Sequence, residues 1–243
     1  MNRRVLCVSQ ARMASTRLPG KVLMDAAGRP LLAHHLDRLR RCRRIDAVVL
    51  ATSDGTIDDP VAALADSLGV TVFRGSEHDV LDRFAGAAAL DRAEIVVRVT
   101  ADCPLIDPAL VDAVVGFFLA QAVDYAHLDV SLFPRGLDTE VFTRAALIEA
   151  ESHATDPAER EHVTPYLYRR PDRFRLASFR EGAPARHGGE RWCVDEPADL
   201  ELVRRLLAVL PPGFGWQDVC KVLDDHPEWT AINRAVAQKD VGH

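Results

Sequence analysis

The chain has 243 residues, 48% of them hydrophobic and 27% charged, with a formal net charge of -6. That length suits one α/β domain whose core needs no disulfide or metal staple. The acidic balance excludes a global attraction to nucleic acid, which would show as a basic surplus, but leaves room for a local cluster that holds a small anion.

The first half alternates strand-like and helix-like stretches. Val5–Ser9 reads as a short apolar strand. Leu31–Cys42 carries apolar residues at helical spacing, and Ala47–Thr52 reads as a buried strand. A helix starts at Asp59-Pro60, where Pro suits the first turn. Val70–Phe73 is a third strand, Val80–Leu90 an Ala-rich helix, Ile95–Thr100 a fourth strand and Pro108–Ala120 a helix. β-branched runs between helices predict parallel βαβ units with helices on both faces.

The second half is less regular. Val123–His127, Glu140–Phe142, Phe174–Phe179 and Arg191–Val194 read as strands, the last two flanking a Gly-rich turn, Gly182–Gly189. Glu159–Tyr168 reads as one helix. Pro197–Val209 is a helix with Leu200, Val203, Leu206 and Leu207 on one face, and a further helix follows Trp216. The end, from about Lys239, reads as frayed. No repeat or linker divides the chain, so a single domain over 1–243 is expected. The run Arg38–Arg44 reads as a solvated helix face or an anion-binding surface.

Cys7, Cys42, Cys103, Cys193 and Cys220 are scattered and odd in number, with no CxxC pair. They read as reduced, mostly buried thiols in a cytoplasmic protein. No signal-peptide pattern opens the chain, and no apolar run reaches the roughly 20 residues that span a bilayer, so no membrane partner is expected.

The segment after the first strand, QARMASTRLPGK (Gln10–Lys21), holds the chemistry. It lacks GxGxxG, which disfavours an NAD-dependent oxidoreductase, and it lacks the Walker pattern. It does offer Arg12, Ser15, Arg17 and Lys21 on a Gly/Pro-punctuated loop that can aim backbone N–H groups and cations at one polyanion. The carboxyl end of a strand is where open α/β sheets bind ligands. The competing reading is a surface loop with chance basic residues.

The loop resembles the signature of cytidylyltransferases of the CMP-sugar synthetase superfamily, above all their spore coat polysaccharide biosynthesis (SpsF-type) branch. Matching blocks run along nearly the whole chain: RGSEHDVLDRF (Arg74–Phe84), RVTADCPLIDP (Arg98–Pro108), GLDTEVF (Gly136–Phe142), EREHVTPYLY (Glu159–Tyr168) and RWCVDEPADLELV (Arg191–Val203). The resemblance implies a Rossmann-like (GT-A-like) three-layer α/β/α nucleotidyltransferase fold with a mainly parallel mixed sheet. Residues 1–122 would then be the nucleotide-binding half, and residues 123–243 the half for acceptor binding and dimerisation. It implies attack of an acceptor oxygen on the α-phosphorus of CTP with loss of pyrophosphate, in a homodimer.

By that resemblance Arg12 and Lys21 stand beside the leaving pyrophosphate, with Ser15 and Arg17 as phosphate contacts. Asp102 and Asp195, both at strand ends, would hold Mg2+; as bare sequence, Asp107-Pro108 and Asp195-Glu196-Pro197 read equally as helix caps. Ser76, Asp79 and Arg83 are candidates for the cytosine and ribose, although Asp79 could instead cap a helix. Backbone groups near Ala11 would add base selectivity. Arg135, Asp138, Glu140 and His162 would line the acceptor side. Asp138 and Glu140 share a strand face that could also be a polar solvent face, and His162 could be a packed or surface residue. The acceptor is expected to be a sugar acid, or a phosphorylated or phosphonate relative of one. Two other readings compete: a GT-A-like glycosyltransferase, disfavoured because Asp102-Cys103-Pro104 is not DxD, and a non-catalytic nucleotide-binding protein.

Overall fold

A computed structural model describes residues 3–184 and 186–237; the frayed end expected from Lys239 lies outside them. In chain order the elements are β1 (Val5–Gln10), ribbon strands β2 (Asp25–Ala26) and β3 (Arg29–Pro30), α1 (Leu31–Leu39), β4 (Ala47–Ser53), α2 (Asp59–Ser67), β5 (Thr71–Gly75) and α3 (Val80–Ala89). There follow β6 (Ile95–Thr100), α4 (Pro108–Ala120), β7 (Tyr125–Leu128), β8 (Glu140–Thr143), α5 (Arg144–His153), α6 (Pro157–His162), α7 (Pro165–Tyr168), β9 (Leu176–Phe179), α8 (Pro197–Val209) and α9 (Trp216–Asp225).

The alternation within β1 sets the layers. Val5 and Cys7 enter one core, Leu6 and Val8 the other. A strand buried on both faces must lie inside a sheet covered above and below. The described residues build a seven-stranded sheet in the order β5-β4-β1-β6-β8-β7-β9. β5, β4, β1 and β6 run parallel, β8 turns antiparallel between β6 and β7, and β9 is parallel to β7. One core takes α1, α4, α8 and α9, the other α3, α5 and α7. In α8, Leu200, Leu202, Val203 and Leu206 are buried, each contributing about 1.5–3 kcal/mol by leaving water. This is the expected three-layer architecture.

Three expectations need correcting. The helix expected over Glu159–Tyr168 is two short ones, because Val163 takes φ 73° and Pro165, which has no N–H, opens a new turn. The strand expected over Arg191–Val194 is a single bridge between Arg135 and Arg191. Its donors go to loops instead: Trp192 N–H to Arg135 O (2.7 Å) and Val194 N–H to Asp102 O (2.8 Å). Arg38 is neither a solvated nor an anion-binding residue. It is buried, donates to the carbonyls of Ile106 and Phe214, and stacks 3.8 Å from the Phe214 ring centroid. α5 has no counterpart among the expected elements; Thr143 caps it by accepting from Ala146 N–H.

All five cysteines are free and buried. Tyr166 and Phe174 are core residues, packed edge to face at 6.0 Å. Among the described residues no helix is long and apolar enough to cross a membrane.

Candidate active site

β1, β4 and β6 are parallel, so their carboxyl ends open on one edge of the sheet, and a cleft lies there. One cavity is lined by the loop after β1 (Ala11, Arg12, Ser15, Arg17, Lys21) with Arg83 from α3. The other is lined by His127, Arg135, Asp138, Glu140, Thr164 and Tyr168. Arg98, Thr100, Asp102, His162 and Asp195 line both, so the two cavities meet at these residues.

The loop has a fixed shape. Ala11 N–H extends the β1–β4 pairing onto Ala51 O. Met13 O accepts from both Ser15 N–H and Gly20 N–H at 2.9 Å. Gly20 takes φ 70°, a left-handed conformation that glycine adopts without steric cost, and this turns the chain so that Lys21 starts a 3-10 turn facing inward. The buried Asp58 pins the loop from β4's side, accepting from Met13 N–H (2.6 Å) and from the Ser53 hydroxyl.

Lys21 is the hub. Its Nζ lies 2.6 Å from Asp102 Oδ2 and 2.8 Å from Asp195 Oδ1. Burial disfavours its charge, but the two carboxylates outweigh that and raise its pKa. Burial likewise works against the Asp102 carboxylate, yet the adjacent ammonium wins and holds it at about 2. Asp195 feels burial and the Asp102 charge; Lys21 and Arg191 overcome both and lower its pKa. Arg17 adds a third cation, 2.9 Å from Asp195 Oδ2, and Arg191 also reaches that oxygen at 2.9 Å.

The cap readings separate cleanly. Asp107 caps α4, accepting from Leu110 N–H. Asp195 does not cap α8. Glu196 is the N-cap, and Asp199 closes a capping box while accepting from the N–H groups of both Asp195 and Glu196. Asp195 is thereby left to the cleft. Two carboxylate oxygens within 3 Å of one cationic point are a hard-donor pair suited to Mg2+, which commonly takes one or two carboxylates plus water and phosphate oxygens.

Ser76 and Asp79 are placed differently from the expected base and ribose contacts. Asp79 caps α3 through Asp82 N–H and is gripped by both Nε and an Nη of Arg160, while Ser76 Oγ accepts from Asp79 N–H. Neither lines the cleft, so here the capping alternative is the one seen. Arg83 does line it, with an Nη 2.5 Å from Ser76 O. On the acceptor side, Asp138 accepts from Arg135 (3.0 Å) and Gly136 N–H (2.6 Å). Glu140 is occupied by Arg98 and by the hydroxyls of Tyr125 and Thr164, both at 2.6 Å. That ends the solvent-face reading for Glu140. His162 stands at the junction, its pKa lowered by burial.

Sequence reading missed His35. Fully buried, it takes Ser9 Oγ on Nε2 and Cys103 O on Nδ1, each at 2.9 Å. A carbonyl can only accept, so Nδ1 carries the proton and Nε2 accepts from the hydroxyl. Burial pushes its pKa down to about 4, so the ring is neutral at physiological pH. It ties the segment carrying Asp102 to α1 and β1. Asn233 does the like for Asp195, donating to Arg191 O and Asp199, each at 2.8 Å.

A mixed α/β/α sheet with a cationic loop and paired aspartates at its carboxyl edge is the arrangement expected of a nucleotidyltransferase. A family model for cytidylyltransferases matches residues 6–221. The chain is 34% identical to the spore coat polysaccharide biosynthesis protein SpsF of Bacillus subtilis, covering 83% of this chain and 85% of that one. It is 32% identical to a 3-deoxy-manno-octulosonate cytidylyltransferase of an Anaeromyxobacter species, covering 85% and 98%. A solved cytidylyltransferase from Leptospira borgpetersenii serovar Hardjo-bovis superposes with a TM-score of 0.89 at 32% identity, covering 97% of this chain and all of that one. The chain belongs to the cytidylyltransferase family and is a CTP-dependent nucleotidyltransferase.

Proposed function

We propose that this enzyme transfers CMP from CTP to a sugar acid or a related surface-glycan precursor. An acceptor oxygen bonds to the α-phosphorus, the bond from that phosphorus to the β-bridging oxygen breaks, and pyrophosphate leaves. The proton of an attacking hydroxyl passes to water in the open cleft. The observation that carries this reading is the cleft itself: a cationic loop on one side, a polar pocket on the other, and Asp102, Asp195 and Lys21 between them.

The triphosphate lies along Arg12, Ser15 and Arg17, whose fixed charges and donors meet an anion that gains charge as the bond breaks. Lys21 stabilises the departing pyrophosphate as a point charge. Asp102 and Asp195 would hold a magnesium ion, which neutralises charge on phosphate oxygens. Arg135 and Asp138 orient the acceptor. His162, its pKa lowered by burial, stands at the junction of the two cavities as a neutral ring at pH 7. The names of two relatives, a spore coat polysaccharide protein and an octulosonate cytidylyltransferase, support a glycan precursor as acceptor.

A pyrophosphate-release screen of ATP, CTP, GTP and UTP against acidic sugars, sugar phosphates and phosphonates tests the proposal. CTP with an acidic sugar should give turnover. Turnover with CTP only on a non-carbohydrate acceptor would overturn the sugar assignment.

A further inference from the structure

We infer that Arg98 is a catalytic residue of the proposed CMP transfer, holding the reacting phosphate or acceptor oxygen where the nucleotide and acceptor cavities meet. The inference rests on the proposed reaction. Bond formation must happen where the two cavities join, and Arg98, Thr100, Asp102, His162 and Asp195 line that junction. β6 turns alternate side chains to one face, so Arg98 and Thr100 lie together while Val97 and Val99 enter the core. The strand therefore delivers a guanidinium, a hydroxyl and, just beyond its end, the Asp102 carboxylate to one place.

Arg98 meets Glu140 in a way that leaves part of its guanidinium uncommitted. Arginines of this chain pair with carboxylates either through one nitrogen, as Arg29 does with Asp37 and Arg205 with Glu201, or through both prongs of the fork. Arg4 grips Asp91 with Nε and Nη2 at 2.7 Å each, and Arg175 grips Asp124 with the same pair at 2.9 Å. Such bidentate pairing is the favourable geometry for guanidinium and carboxylate. Arg98 reaches Glu140 through Nη1, and its Nε is buried with no acceptor. Leaving a buried donor unmet is costly. Glu140 is meanwhile saturated by two hydroxyls besides Arg98, so it holds the arginine in place from behind. Burial opposes the Arg98 charge but Glu140 more than restores it, so the group is a permanent cation. A fixed cation at the junction, with fork capacity unspent, suits an oxyanion that gains charge in the transition state. No proton moves to or from it.

A double-mutant cycle on pyrophosphate release tests this, with R98Q, E140Q and R98Q/E140Q compared across a CTP titration that yields kcat and KM. R98Q should lower kcat about a hundredfold both in the wild-type and in the E140Q background, with the KM for CTP changing much less. If R98Q costs less than about threefold in kcat once Glu140 is neutral, Arg98 only neutralises Glu140 and the inference is wrong. The double variant carries no buried charge pair, so it reports even where R98Q alone fails to fold. If the double variant also fails to fold while E140Q folds, Arg98 is a structural residue and the inference is again wrong. Absence of wild-type turnover with every nucleotide sinks the proposed reaction itself, a result distinct from an active wild type with a fully active double variant.

Discussion

Replacing His35 with Asn tests how the Asp102 segment is held. Wild-type His35 keeps a neutral ring, with a pKa of about 4 against 6.5 in the unfolded chain. A lowered histidine pKa means that the unfolded chain binds the proton first as pH falls. Stability from this group is therefore present above pH 6.5 and is lost as pH drops towards 4. Between pH 7 and 4.5 the linkage amounts to about 2 kcal/mol. Asp102 stays out of that window, since its carboxyl is held at about 2. His162 is inside it, because its pKa is also lowered, so the comparison must be between variants. The Asn amide can replace Nδ1–H towards Cys103 O but cannot titrate. Urea unfolding at pH 7 and 4.5 should show the wild type losing about 2 kcal/mol more than H35N over that interval. H35Q, whose amide reaches Ser9 and not Cys103, should keep that flat pH response yet lose kcat. Equal pH dependence in wild type and H35N would refute the buried, neutral assignment.

Removing Lys21 takes the cation from between two aspartates and from beside the leaving group. K21A should lower kcat by about a hundred- to a thousandfold, measured as pyrophosphate release, with less change in the KM for CTP. D102N or D195N should raise the magnesium concentration needed for half-maximal rate well above the wild-type value, read from a metal titration. Gly136 takes φ 105°, and a Cβ there would lie 2.7 Å from Trp192 and Cys193 backbone atoms. G136A should therefore destabilise the protein by more than about 2 kcal/mol in urea unfolding, and an unchanged midpoint would contradict the close approach.

Local signals and whole-chain resemblance together made the fold and half of the cleft readable. Gln10–Lys21 announced itself because its cations, glycine and proline are contiguous and follow a strand. Asp195 was ambiguous as bare sequence, since a Pro-led helix follows it; only the structure shows Glu196 and Asp199 doing the capping. Asp79 went the other way for the same reason, its cap and its Arg160 partner, 81 residues away, outweighing proximity to a matched block. His35 was illegible because a helical histidine looks the same whether or not it bonds to Cys103, 68 positions along. Arg98 drew no reading of its own from the sequence, because its place in the cleft depends on Glu140 arriving antiparallel beside it. The break at Val163 was missed because helical periodicity runs through Pro165 and a backbone φ of 73° leaves no mark on composition.

The central claim is that the α-phosphorus of CTP is the atom attacked. The most direct measurement incubates the enzyme, magnesium and an acidic sugar acceptor with CTP labelled either at the α- or at the γ-phosphate. Label should move onto the acceptor from the α position, and the γ label should appear wholly in pyrophosphate. Transfer of the γ label to the acceptor, or release of CDP, would contradict the account.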